Sequence, residues 1–196
     1  MTPRTASVSR RTKETEITLT LSLDGAGATA IDTGIGFLDH LLTALAFHAR
    51  FDLDLRCRGD LEVDDHHTAE DTALALGQAL RDALGDRAGV ARYGAMYAPL
   101  DEALARAVVD LSGRPFARTA LGLTRERLGT LACENIPHWL RSFAVAAGLT
   151  LHVDVLEGEN DHHRAEAAFK ATALALREAV ARDGREVVPS TKGTLA

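Results

Sequence analysis

The stretch Asp65-His66-His67-Thr68-Ala69-Glu70 returns 96 residues later as Asp161-His162-His163-Arg164-Ala165-Glu166, with five of six positions identical. Each copy opens an amphipathic run that reads as a helix, over about 65–84 in the first case, stopped by Gly85, and about 161–182 in the second. Before each copy lies an alternating segment, 51–57 and 149–155, with the pattern of a half-buried strand. Further upstream stand two more helices, 37–48 and 135–147, the second stopped by Gly148. Each carries one histidine at a matching place: His40 lies 26 residues before His66, and His138 lies 24 residues before His162. Strand pairs precede them, at 8–14 with 17–23 and at 93–98 with 103–111. The order of features therefore runs twice, which is the mark of an internal duplication. The expected fold is α/β (α+β), with halves at 1–88 and 89–183. Each half reads as ββαβα, a four-stranded mixed sheet with two helices on one face.

The chain has 196 residues, 46% hydrophobic and 26% charged, an ordinary globular balance that fits two small halves sharing one core. Lysines and arginines number 22 against 28 acids, a net charge of −6 that excludes a large basic face for nucleic acid or an anionic membrane. A local basic pocket remains open. Residues 184–196 are rich in Gly, Ser, Thr and Pro, and Pro189-Ser190-Thr191-Lys192-Gly193 would suit a phosphate clasp at the C-terminal tail. Cys57 and Cys133 have neither disulfide nor zinc spacing. The first sixteen residues lack an apolar core for export, and the uncharged stretch 142–151 is too short to span a bilayer. A cytoplasmic location, with no membrane and no nucleic-acid partner, is expected.

On a helix, His66 and His67 project about 100° apart, so the two cannot easily chelate one ion together. Glu70, four and three residues on, can reach the region of either. The same holds for His162, His163 and Glu166. A two-direction ligand set that occurs twice points to two metal sites, or to ions held across a subunit contact. His40 and His138 complete the count at six imidazoles and two carboxylates, four ligands per metal. Nitrogen and carboxylate donors without thiolate suit Mn, Fe, Co or Zn, and on a six-coordinate ion such as Mn²⁺ they leave two positions for substrate and water. Asp64, Asp65, Asp71 and Asp161 are available as acceptors for the imidazole N–H groups. His48 and His152 have no counterpart in the other half and read as structural.

These residues also carry a family likeness. Gly34-Ile35-Gly36-Phe37-Leu38-Asp39-His40, Asp64 to Asp71, Pro99 to Leu104, Leu111-Ser112-Gly113-Arg114-Pro115, Asn160-Asp161-His162-His163 through Phe169-Lys170-Ala171, and Pro189 to Gly193 resemble imidazoleglycerol-phosphate dehydratase over essentially the whole chain. The resemblance implies a hydro-lyase of L-histidine biosynthesis that converts D-erythro-imidazole glycerol phosphate to imidazole acetol phosphate. It implies two Mn²⁺ ions per active site, ligated by His40, His66, His67, Glu70, His138, His162, His163 and Glu166. It further implies metal sites at subunit interfaces of a homo-oligomer, trimers assembled to a 24-mer. Phosphate binding falls to Arg92, Arg114, Ser190 and Lys192, whose donors suit phosphate oxygens. Glu14, in Thr12-Lys13-Glu14-Thr15, matches a family glutamate near the substrate hydroxyls.

The chemistry explains a demand for two metals, because no carbonyl acidifies the proton to be removed. Held as imidazolate between two ions, the substrate ring could expel the hydroxyl to a diazafulvene-like species and then lose a proton to an enol. Glu14, Glu70, Glu166 or a bound water could move the protons, and the residues alone do not choose among them. Two features depart from the family pattern. Ala44 stands where many members have glutamine, and His48-Ala49-Arg50 replaces a His-Gly pair. No phosphatase region precedes the dehydratase-like part, so a single activity is expected. A di-metal hydrolase of a phosphorylated metabolite and a non-catalytic metal-knit assembly are the readings from other classes.

Overall fold

Alternation decides which way each strand faces. In β2 (Thr15–Ser22), Thr15, Ile17, Leu19 and Leu21 are buried while the residues between them are exposed. In the computed structural model, which describes residues 3–185 and 187–195, β2 pairs antiparallel with β1 (Thr5–Arg11) and with β4 (Asp52–Gly59). A short β3 (Thr29–Asp32) adds to β4 in parallel, giving the order β1-β2-β4-β3. The second sheet has the order β5-β6-β10-β7, built from β5 (Tyr93–Leu100), β6 (Ala103–Asp110), β7 (Phe116–Ala120) and β10 (Thr150–Glu157). Here too three strands are antiparallel and the fourth, β7, is a parallel edge. A small hairpin, β8 (Arg127–Leu128) with β9 (Leu131–Ala132), stands apart.

Four helices fill the space between the sheets: α1 (Gly36–Ala49), α2 (His66–Leu84), α3 (Asn135–Ala147) and α4 (Asp161–Ala179). Helix α2 covers β1 and β2, and α4 covers β5 and β6. The helices also pair across the sequence, α2 with α3 and α1 with α4. Alanine at Ala69, Ala73, Ala75, Ala168, Ala171 and Ala175 keeps these helices thin, and all six are fully buried. Gly77 allows the close approach of α2 to α3, since a Cβ there would lie 2.6 Å from the Phe143 carbonyl oxygen. Trp139 stacks on Phe143 at 5.3 Å, lies tilted on Phe169 at 5.3 Å and donates its indole N–H to Thr72 Oγ1 at 3.2 Å. One side chain thereby ties α2, α3 and α4 together.

The mixed four-stranded sheets and the four helices are as expected, but the first half has the order βββαβα, and the second has the same order with the β8–β9 hairpin inserted before α3. The additional strands, β3 and β7, fall in segments that read as loop. The first expected strand, 8–14, runs instead from Thr5 to Arg11. Thr12 ends it, because its hydroxyl oxygen accepts the N–H groups of Glu14 and Thr15 and turns the chain. Helix α4 stops at Ala179 rather than 182, and Arg182 then bridges to Val90.

Candidate functional site

At the start of α2 the Asp64 carboxylate accepts the His66 backbone N–H at 2.8 Å, a local cap for the first turn. His66 and Glu70, four apart, share a face turned toward α3. His138 comes from α3, stacks on His66 at 4.9 Å, and brings its Nε2 to 3.0 Å from Glu70 Oε1. One ligand atom from each of His66, Glu70 and His138 falls within 4.8 Å of the others. A second group forms from α1 and α4. His40 Nε2 and His162 Nε2 lie 3.0 and 3.2 Å from Glu166 Oε2, again with all three donors within 4.8 Å. Each cluster thus takes one histidine from one half and a histidine with its glutamate from the other. Two imidazoles and a carboxylate converging with open sides are a fit donor set for a divalent transition ion.

The remaining histidine of each pair turns elsewhere. His67 Nδ1 lies 3.0 Å from Asp60 Oδ2, and its Nε2 is 3.8 Å from Glu14 Oε1. His163 Nδ1 lies 2.7 Å from Glu102 Oε2, and its Nε2 is 3.9 Å from Asp101. The hydrogen bond to Asp60 raises the pKa of His67, and that to Glu102 raises the pKa of His163. Of the eight expected ligands, six therefore gather three by three within the chain, while His67 and His163 do not join either group. Glu14 stands beside His67 and away from both clusters. For Glu166, burial opposes ionisation, but the Lys170 ammonium at 2.7 Å and the His40 contact outweigh it and hold the carboxyl at about 2.

The four phosphate-binding candidates come together in a separate cleft of about 920 Å³, lined by Arg92, Arg114, Ser190 and Lys192 among others. Arg92 has a positive φ of 74° and its N–H donates to the Ala179 carbonyl at 2.9 Å, so the cleft sits at the C-terminal end of α4. Its guanidinium donates to Asp110 Oδ1 at 2.7 Å and to the Pro189 carbonyl at 2.8 Å, and lies over the Tyr93 ring. The Asp110 hydrogen bond raises its already high pKa. Arg92 is thus a latch for the tail as well as a cleft wall. Ser190 Oγ accepts the Lys192 N–H at 3.2 Å and shapes the turn between them.

The imidazole acceptors are not the acids expected from the sequence. Asp71 binds Arg10 and Thr15, Asp161 caps the Thr124–Arg125 backbone, and Asp64 takes a backbone N–H. The carboxylates that reach a ring nitrogen from outside the clusters are Asp60 and Glu102. Asn135 also holds a ring, with Oδ1 at 3.1 Å from His66 Nδ1.

Comparison with known proteins places this geometry. Residues 33–176 match the family model described as imidazoleglycerol-phosphate dehydratase. An imidazoleglycerol-phosphate dehydratase of Pyricularia oryzae is 56% identical, covering 99% of this chain and 98% of its own length. One of Phytophthora nicotianae is 61% identical over 98% of this chain, which spans only 43% of that longer relative. Among solved structures, the Staphylococcus aureus enzyme aligns with a TM-score of 0.82 at 38% identity, over 91% of this chain and 99% of its own. The Pyrococcus furiosus protein, solved in complex with the compound (S)-C348, aligns at 0.83 and 36%, over 96% and 100%. Matched by that family model over residues 33–176 and alike in fold to those solved structures, the chain belongs to the imidazoleglycerol-phosphate dehydratase family of hydro-lyases.

Proposed function

We propose that this chain removes water from D-erythro-imidazole glycerol phosphate to give imidazole acetol phosphate in L-histidine biosynthesis, using two Mn²⁺ ions per active site in a cytoplasmic homo-oligomer. The observation that carries the reading is the pair of three-donor clusters, His66/Glu70/His138 and His40/His162/Glu166. When bound, two divalent cations would supply the positive charge that holds the substrate ring as its imidazolate anion. The reaction breaks one C–H and one C–O bond, the hydroxyl leaves as water, and the enol that remains tautomerises to the ketone. With its carboxyl at about 2, Glu166 is a carboxylate at neutral pH, suited to hold a cation and weak as a proton acceptor. Glu70 holds the matching place in the other cluster and is a candidate ligand or base there. Glu14, half-exposed and 3.8 Å from His67 Nε2, is the group to which this reading gives proton exchange with a substrate hydroxyl. Asp60 and Glu102 accept Nδ1–H from His67 and His163, which leaves each Nε2 as a lone-pair donor. Arg114, Ser190 and Lys192, with Arg92, hold the phosphate.

What supports an assembly is distance. Glu166 and Ala179 are thirteen residues apart on α4, about 20 Å along the axis at 1.5 Å per residue. The substrate, an imidazole with three carbons and a phosphate, is well short of that span. A ring on the Glu166 cluster and a phosphate in the cleft behind Ala179 must then belong to different copies of the chain. His67 and His163, unused by their own chain's clusters, are free to complete a neighbour's. Trimers joined to a 24-mer through the metals are the arrangement proposed. No described helix is long and apolar enough to cross a membrane. The test is direct: Mn²⁺-loaded protein should convert imidazole glycerol phosphate to the ketone, and exhaustive chelation should abolish turnover until Mn²⁺ is returned. Full activity after chelation would sink the reading.

A further inference from the structure

The two clusters look alike in donor type, yet their surroundings differ at one matched position. Three residues before His138 stands Asn135, and three residues before His40 stands Phe37. Each of these side chains meets the first histidine of the pair from the other half. Asn135 is buried, and its orientation is fixed from behind: Nδ2 donates to Asp65 Oδ2 at 2.9 Å. Asp65, only 5% exposed, also accepts the Ala132 N–H at 2.7 Å and Arg127 at 3.3 Å, so it is anchored as an ion. With the amide nitrogen spent on Asp65, the Asn135 oxygen faces His66 Nδ1 at 3.1 Å. An amide oxygen only accepts, so His66 carries a proton on Nδ1, and its neutral ring presents a bare Nε2. Phe37 offers His162 a ring edge at 5.0 Å and no acceptor. Among the described residues, His162 Nδ1 has no hydrogen-bond partner, and its Nε2 faces Glu166.

We propose that Asn135, held by Asp65, is a positioning residue that locks the His66 tautomer, making the His66/Glu70/His138 cluster the tighter of two inequivalent metal sites. The His40/His162/Glu166 cluster lacks such a lock and must select tautomer and ring orientation when the ion arrives. Its carboxylate also carries the Lys170 ammonium at 2.7 Å, whereas the place matching Lys170 on α2 is Leu74. Both differences act in the same direction. Losing an outer acceptor of a ligand histidine typically costs about 10–100-fold in metal affinity, which sets the size of the effect.

The inference rests on the dimetal reading above, and the experiment separates the two. Full-length protein, stripped of metal, is titrated with Mn²⁺ while free ion is read by electron paramagnetic resonance. The expected wild-type curve has two ions per chain in two affinity classes. Asn135→Leu should weaken the tight class by about 10–100-fold and leave the weak class in place. Asn135→Ser, which can still donate to Asp65 but falls short of His66, should do the same while keeping the metal-free melting temperature. Phe37→Ala should leave the tight class unchanged. Two classes in the wild type with both Asn135 variants leaving them unaltered, or weakening both equally, would overturn the inference and spare the dimetal reading. Fewer than two ions bound by the wild type would overturn the dimetal reading, and the inference with it.

Discussion

Glu102 does two things with one carboxylate. Oε1 accepts the backbone N–H groups of Glu159 and Asn160 at 3.1 and 2.8 Å, and Oε2 accepts His163 Nδ1. The Asn160 N–H, then His163, hold its carboxyl at about 2 against an ordinary 4.5. A folded pKa below the unfolded one means the stabilisation is whole above 4.5 and drains away as pH falls toward 2. In metal-free protein, amide protection at 158–162, corrected for intrinsic exchange, should therefore fall across that window. Glu102→Gln should flatten the dependence, and an unchanged profile would remove Glu102 from this role. The six donors that gather in the two clusters were legible in the sequence as candidates, since coordination demands particular residue types at fixed helical spacing and the pattern occurs twice. Glu102, Asp60 and Asn135 were not legible as ring acceptors. Each reaches its histidine from a different element, and no spacing rule links a turn or a neighbouring helix to the ring it holds.

At the scale of elements, the clusters depend on how closely helices approach. Gly77 lets α2 lie against the Phe143 carbonyl, and the same pair of helices brings His66 to His138. Gly77→Val should cost about 1–3 kcal/mol by overpacking, read by urea unfolding. It should also weaken Mn²⁺ binding at His66/Glu70/His138 more than at the α1–α4 cluster. Equal loss at both would mean the helix pair does not govern its own site. Trp139→Ala, which removes the contact joining three helices, should cost about 3–5 kcal/mol in the same assay. Helices were the readable elements, because amphipathic runs ended by Gly85 and Gly148 mark them clearly. Strands β3 and β7 escaped because four or five residues with mostly exposed side chains give period-2 alternation too little length to register.

For the whole molecule, separation of the Glu166 cluster from the cationic cleft makes a prediction about mixtures. Glu166→Ala removes a donor of the α1–α4 cluster and Arg114→Ala a cleft wall, so each variant alone should be inactive or nearly so. Chelated, mixed and reloaded with Mn²⁺, the two should regain part of the wild-type turnover, because one chain's intact cluster can face the other's intact cleft. Absence of any recovery in a mixed assembly of confirmed mass would argue for a site within a single chain. Native mass should likewise fall on chelation and return with Mn²⁺, since ions that bridge copies also hold them. None of this separation could be read from the sequence, in which residues 166 and 179 differ only by number. It follows from the rigidity of one helix.

The crossed membership of the clusters bears on ancestry. His40 meets His162 and Glu166, while His138 meets His66 and Glu70, so neither half closes a three-donor set with its own residues. A half-length ancestor would have gripped an ion only by embracing its twin. On the duplication that the repeated sequence points to, fusion would preserve both grips at once and free them to diverge, with an amide at residue 135 and a phenyl ring at residue 37.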